Sequence, residues 1–97
     1  MKPVAFHPQA EAEFASATEF YRVERPTLAR EFAGELERAV EFVRVNPEAG
    51  TPIRGAIRRW LIRRFPYSII YREEENRIYI LAVAHQRRRP EYWSDRA

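Results

Sequence analysis

Apolar residues recur at helical spacing through the first half of the chain and at strand spacing through the second, and this change of period sets the expected architecture. Val4-Ala5-Phe6 is a short apolar segment that stops at His7-Pro8. It predicts a strand running directly into a helix, because proline suits the first helical turn, where its missing N–H has no partner. From Pro8 to about Arg22, Ala10, Phe14, Ala17 and Tyr21 fall on one helical face, with Glu11 and Glu19 directed elsewhere. Arg25-Pro26 interrupts the pattern and opens a second helix, so the two helices form a tight hairpin. Its inward stripe is Leu28, Phe32, Leu36, Ala39 or Val40, and Val43, against a polar face of Arg30, Glu37, Arg38, Glu41 and Arg44. Asn46-Pro47 ends the helix, and Gly50-Thr51-Pro52 reads as loop.

Beyond this loop the chain turns to β-branched and aromatic residues. Ile57–Phe65, Tyr67–Arg72 and Arg77–His85 read as strands, with Glu73-Glu74-Glu75-Asn76 as the polar turn of a hairpin. Pro66 has no N–H to give to a ladder, which places it at a strand start, a bulge or an edge. Gln86 to Ala97, rich in charge and carrying Pro90, reads as irregular or as a short terminal turn. The expected fold is α+β in the order β-α-α-β-β-β, a helical hairpin packed on one face of a small, mainly antiparallel sheet. At 97 residues, one domain over 1–97 is expected.

Composition narrows the function classes. With no cysteine there are neither disulfides nor thiolate ligands, and no His/Asp/Glu spacing resembles a metal site, so neither metal nor cofactor is expected. The residues after Met1 carry no long apolar run and no small-residue cleavage site, which points to a cytoplasmic protein without a membrane role. A formal net charge of +3 conceals a strong asymmetry. Residues 1–50 are net acidic, whereas residues 51–97 are strongly basic, and every basic residue of that second half is arginine. The planar guanidinium fork grips phosphate or carboxylate bidentately and keeps its charge at neutral pH, so a polyanion or an acidic protein is the natural partner.

Three motifs then acquire a common meaning. His7-Pro8 opens the first helix with Ala10 and Phe14 after it; Arg64-Phe65-Pro66-Tyr67-Ser68-Ile69-Ile70-Tyr71 lies in the sheet; Ala84-His85-Gln86-Arg87-Arg88-Arg89-Pro90 closes the last strand, with Tyr92-Trp93 and Arg96 following. At this length and in this order they resemble the RelE/ParE superfamily of type II toxin–antitoxin toxins, in particular its ParE-like plasmid stabilisation branch. The resemblance implies a growth-arresting toxin neutralised by a cognate antitoxin in a hetero-oligomer. It leaves two targets open, because some members of this fold poison DNA gyrase and others cleave messenger RNA on the ribosome.

Cleavage through 2′-hydroxyl attack needs a proton acceptor, a proton donor and positive charge on the phosphate. His85 is the only histidine of the basic half, and histidine is the side-chain type whose unperturbed pKa lies near neutrality. Tyr92 falls where the resemblance places a tyrosine of ribosome-dependent relatives, and Arg64 completes a candidate catalytic set. Arg58, Arg59, Arg63, Arg87, Arg88 and Arg89 are the candidate target-binding residues. The same residues also have structural readings: His85 as a hydrogen-bonded strand end, Tyr92 and Trp93 as anchors of the tail, Trp60 as a ring buried against a helix rather than stacked on a base, and His7 as a helix-start residue. Ribosome-dependent relatives of the RelE type use lysines before and within the first long strand, where this chain has Arg54, Arg58 and Arg59 and keeps only Lys2. Arginine is a poor proton donor or acceptor at neutral pH, so proton transfer would fall to His85 and Tyr92.

Overall fold

The computed structural model describes all of residues 1–97. Its elements are β1 (Val4–Phe6), α1 (Pro8–Glu24), α2 (Pro26–Val45), β2 (Thr51–Arg54), β3 (Ile57–Leu61), β4 (Tyr67–Glu73) and β5 (Ile78–His85), then a single 3₁₀ turn at Ser94–Arg96. His7 caps α1 as a helix-start residue, its Nδ1 accepting the Gln9 N–H at 3.0 Å. Arg25 alone separates the helices: its extended backbone (φ −170°, ψ 123°) breaks the first, and Pro26 starts the second.

The sheet has five strands in the order β1-β5-β4-β3-β2, with β1 parallel to β5 and every other pair antiparallel. Two expectations need correction. Gly50-Thr51-Pro52 is expected as loop, but Thr51–Arg54 is a fifth strand; it survives Pro52 because it lies at the sheet edge, and its register slips between Pro52 and Arg54. The strand expected to reach Phe65 ends at Leu61, because Arg64 takes a left-handed conformation (φ 71°) in the tight connection to β4. Pro66 immediately precedes β4.

One face of the sheet buries Ile69, Tyr71, Ile78, Ile80 and Val83 against Ala10, Ala17, Phe32, Leu36, Ala39 and Val43 of the hairpin. The opposite face carries a smaller cluster of Ile57, Ile70, Leu81, Ala82 and Trp93. Strand alternation explains the division up to Ile80, and a bulge explains it afterwards. Ile70 pairs with Ala82 and Tyr71 with Ile80, which leaves Leu81 without a partner. The extra residue reverses the facing of everything that follows in β5: Leu81 and Ala82 share one cluster, and Val83 returns to the helical side.

Tyr71 also fixes the α2–β2 connection. Its fully buried hydroxyl donates to the Pro47 carbonyl at 2.9 Å and accepts the Gly50 N–H at 2.9 Å. A Cβ on Gly50 would stand 2.6 Å from that hydroxyl and 2.9 Å from the Arg59 carbonyl oxygen, so no larger residue fits without moving backbone. We expect Tyr71→Phe to lose about 1–3 kcal/mol, the cost of leaving the buried Gly50 N–H and the half-buried Pro47 carbonyl without their partner, and Gly50→Ala to be destabilised as well. Urea unfolding of both variants checks this; a Tyr71→Phe protein within about 0.5 kcal/mol of the parent would mean that water replaces the hydroxyl.

Candidate functional site

β1 reaches only as far as Ile80, so the outer edge of β5 runs on without a strand beside it. A carboxylate from α1 takes over. Glu13 Oε1 accepts the Val83 N–H at 3.0 Å, and Oε2 accepts the Tyr92 hydroxyl at 2.9 Å. Arg96 spans the same carboxylate with both terminal nitrogens, at 3.0 and 2.8 Å, and its Nη1 also donates to the Leu81 carbonyl at 3.0 Å. The Arg96 side chain is only 7% exposed. A charged cluster thus ties the C-terminal tail to α1 and to the bulged part of β5, and Trp93, 3% exposed, seals the second face of the sheet beside it.

This arrangement fixes the protonation of its members. Burial pushes the Glu13 carboxyl up, but hydrogen bonds from Arg96, the Val83 amide and Tyr92, with the Arg96 charge, outweigh burial and hold it below its ordinary value. Tyr92 is driven strongly the other way, first by burial and then by the hydrogen bond and charge of Glu13. Its hydroxyl is a donor held neutral by an anion.

The tail raised on this anchor walls a surface depression of about 480 Å³. His85, Arg59, Arg88, Arg89 and Tyr92 line it, with Ser68 and Gln86 among their neighbours. His85 packs edge-on against the Tyr67 ring at 5.0 Å, and its Nδ1 accepts the Arg87 N–H at 3.0 Å. The guanidinium of Arg88 lies 3.7 Å from the Tyr92 ring centroid, a cation–π contact that props it over the opening. His85 and Arg88 also line a second hollow on the α1 side, with Ser16, Phe20 and Tyr67.

The other arginines divide by what they touch. Arg59, Arg63, Arg87, Arg88 and Arg89 have no carboxylate within ion-pair distance. Arg58 turns inward, its Nη1 donating to the carbonyls of Glu48 at 3.1 Å and Gly50 at 2.9 Å. Arg64 is paired with Glu31 at 3.1 Å and stands 3.9 Å from Glu35, both on α2, and it does not line the His85 depression. His85 and Tyr92 are therefore brought together, and Arg64 is not. Trp60 is half-buried and stacks on Phe42 of α2 at 4.7 Å.

The residue that organises the site, Glu13, is absent from the expected set. Its signal is a carboxylate three residues after Ala10 and four before Ala17, on the buried stripe of an amphipathic helix. No group of acidic or histidine side chains is placed to hold a metal ion, and no helix is long and apolar enough to cross a membrane.

Comparison with known proteins completes the description. A model of the ParE toxin of type II toxin–antitoxin systems, parDE, matches residues 4–90. The chain belongs to the ParE toxin family. An antitoxin partner is implied by membership of such a system. Among solved structures, a chain described as "Chromosomal ParDE TA system from P. aeruginosa" superposes with a TM-score of 0.76 at 22% identity, covering 88% of this ParE-family chain and 96% of that chain. At that identity the likeness bears on the fold. No curated protein sequence matches.

Glu13→Gln tests the anchor and its pH dependence together. A carboxyl whose folded-state pKa lies below its unfolded value of about 4.5 stabilises the fold fully above that value and loses the contribution as pH falls through the folded pKa. The parent should therefore exceed Glu13→Gln by about 3 kcal/mol near pH 7, the usual cost of breaking a buried ion pair, and the gap should close below the ordinary carboxylate range. Chemical unfolding at a series of pH values measures it. An equal gap at pH 7 and pH 3 would show that Glu13 acts by shape and not by charge.

Proposed function

We propose that this ParE-family chain is a toxin that arrests growth by binding DNA gyrase and inhibiting it, and that its antitoxin neutralises it by forming a complex. The observation that carries this reading is the Tyr92 hydroxyl donated to Glu13 at 2.9 Å. A cleaving site needs one group to take the 2′-hydroxyl proton and another to protonate the leaving oxygen. Tyr92 is committed as a donor to an anion and is held neutral, and Arg64 is paired on α2. Only His85 then remains to move protons within a ring of unpaired arginines. One titratable group among several fixed cations supports recognition of an anionic surface better than general acid–base chemistry. The residues proposed to engage the target are Arg59, Arg88 and Arg89 of the depression, with the exposed Arg87 beside them.

The double variant Arg87→Ala, Arg88→Ala tests the engagement. It should raise the concentration needed to inhibit supercoiling by purified gyrase at least tenfold and abolish growth arrest. Its unfolding free energy should fall by about 1 kcal/mol, because exposed charges and a surface cation–π contact contribute little to folding. Cells arrested by the parent should show DNA-damage signalling while ribosome-bound messenger stays whole. Messenger cut in the ribosomal A site, and toxicity abolished in His85→Ala with gyrase unaffected, would instead establish the ribonuclease reading.

A further inference from the structure

The cationic depression ends at a ridge. His85 and Arg88 line it on one side and line the α1-side hollow, of about 390 Å³, on the other. The two spaces differ in character. Arg59 and Arg89 belong to the first alone, whereas the second is walled by the rings of Phe20, Tyr67 and His85. Ala12 and Ser16 precede Phe20 on one face of α1 at a spacing of four, and these small residues leave the space that the Phe20 ring closes off. Phe20 is 60% exposed and stands edge-on to Tyr21, with ring centroids 5.3 Å apart. Across the hollow, Tyr67 and His85 are directly opposed on β4 and β5. The His85 Nδ1 is occupied by the Arg87 N–H, which leaves Nε2 as the donor of the ring.

Each space carries one carboxylate, and both carboxylates are already paired. Glu91 meets Arg54 at 2.9 Å beside the depression, and Glu13 meets Arg96 at 2.8 Å beside the hollow. An anion arriving at the ridge therefore meets unpaired guanidinium groups and no free negative charge. An acidic protein surface would satisfy those groups and leave the aromatic hollow empty. A ligand that fills both spaces joins a flat ring to a phosphate, as each nucleotide of a nucleic acid does. The bases of a duplex lie stacked on one another and offer no face, so the strand must be single. A cationic track for phosphates beside aromatic rings for bases is the usual way in which single strands are held.

We infer that this surface binds a single-stranded segment of DNA, with one unstacked base in the α1-side hollow against Phe20 and Tyr67 and the neighbouring phosphates on Arg88, Arg59 and Arg89. The inference rests on the gyrase reading and names what the arginines recognise on that target: the DNA that the enzyme works on, not an acidic face of the enzyme itself. Phe20 thereby becomes a binding residue, although it lies on α1, far in sequence from every arginine of the site.

The test is fluorescence anisotropy of the purified full chain at low salt with a short labelled DNA strand, its duplex, its abasic counterpart and the RNA of the same sequence. The parent should bind the single DNA strand, and Phe20→Ala should weaken that binding about tenfold, the usual effect of removing one stacking ring. Phe20→Trp, which keeps a stacking face, should bind like the parent, and so should Phe42→Ala, an exposed aromatic that lines neither space. A 2-aminopurine base in the strand should be quenched by the parent and not by Phe20→Ala, and thermal unfolding should show both folded. The double variant Arg87→Ala, Arg88→Ala should lower the salt dependence of binding by about 1.4 in logarithmic slope, two phosphate contacts at about 0.7 each. In the supercoiling assay Phe20→Ala should need about tenfold more protein to inhibit gyrase. A parent that inhibits gyrase but binds no DNA strand, with Phe20→Ala inhibiting equally, would overturn the inference, leave the gyrase reading standing and assign the arginines to the enzyme's own surface. Equal affinity for duplex or abasic DNA would also overturn it, because no base would then be read. Preference for the RNA strand together with cut messenger would overturn both readings.

Discussion

Glu13 carries two structural duties with one carboxylate. Where β1 stops, the Val83 amide has no neighbouring strand, and a buried unpaired backbone donor is costly. Glu13 meets that amide and creates a new requirement, a negative charge largely removed from water. Arg96 and Tyr92 meet the second requirement, and both come from the tail. The chain end is therefore held by the need to neutralise a side chain near its beginning, eighty-three residues away in sequence. Trp93 follows from the same contact: with Tyr92 and Arg96 fixed, the ring between them has little choice but to lie on the open face of the sheet.

The position of the cationic surface depends on this anchor. His85 ends β5, and the arginines after it lie on a segment without regular structure up to the Ser94–Arg96 turn. Such a segment would sample many arrangements if its far end were free. Pinned at Tyr92 and Arg96 on one side and at the last β5 pairing on the other, it is held at both ends, and Arg54, paired with Glu91 at 2.9 Å, adds a third support. Arg88, Arg89 and Arg59 then project around one depression from two separate parts of the chain. A fixed array of cations recognises an anionic partner at lower entropic cost than a mobile one.

Most of the fold was legible because its elements are punctuated by residues with strong local preferences. His7-Pro8, Arg25-Pro26 and Asn46-Pro47 mark helix boundaries to within about two residues. β2 was hidden by the residues that mark turns, since an edge strand of four residues tolerates a proline that a central strand does not. The bulge at Leu81 lies within a continuous apolar run, where no alternation exists to be broken, so the facing of His85 was not readable. Among the site residues, sequence proximity grouped Arg63 and Arg64 with Arg58 and Arg59, yet their surroundings differ: one lies near Phe42 and Trp60, one pairs with Glu31, one closes a loop, and one lines the depression. Arginine's charge is visible in a sequence, but the carboxylate or carbonyl that consumes it is not.

The hollow where β2 leaves the edge of β3 and the depression beside His85 are not independent surfaces. Leu61 and Arg59 line both. An anionic partner seated on this surface would shield its cations by Coulombic pairing and by bulk, and the two effects respond differently to salt: the first weakens as ionic strength rises, the second does not. The short reach of screened electrostatics, about one Debye length of roughly 8 Å at physiological ionic strength, also sets the constraint on any such partner, since its negative charges must lie on the depression itself and not merely elsewhere on an acidic chain.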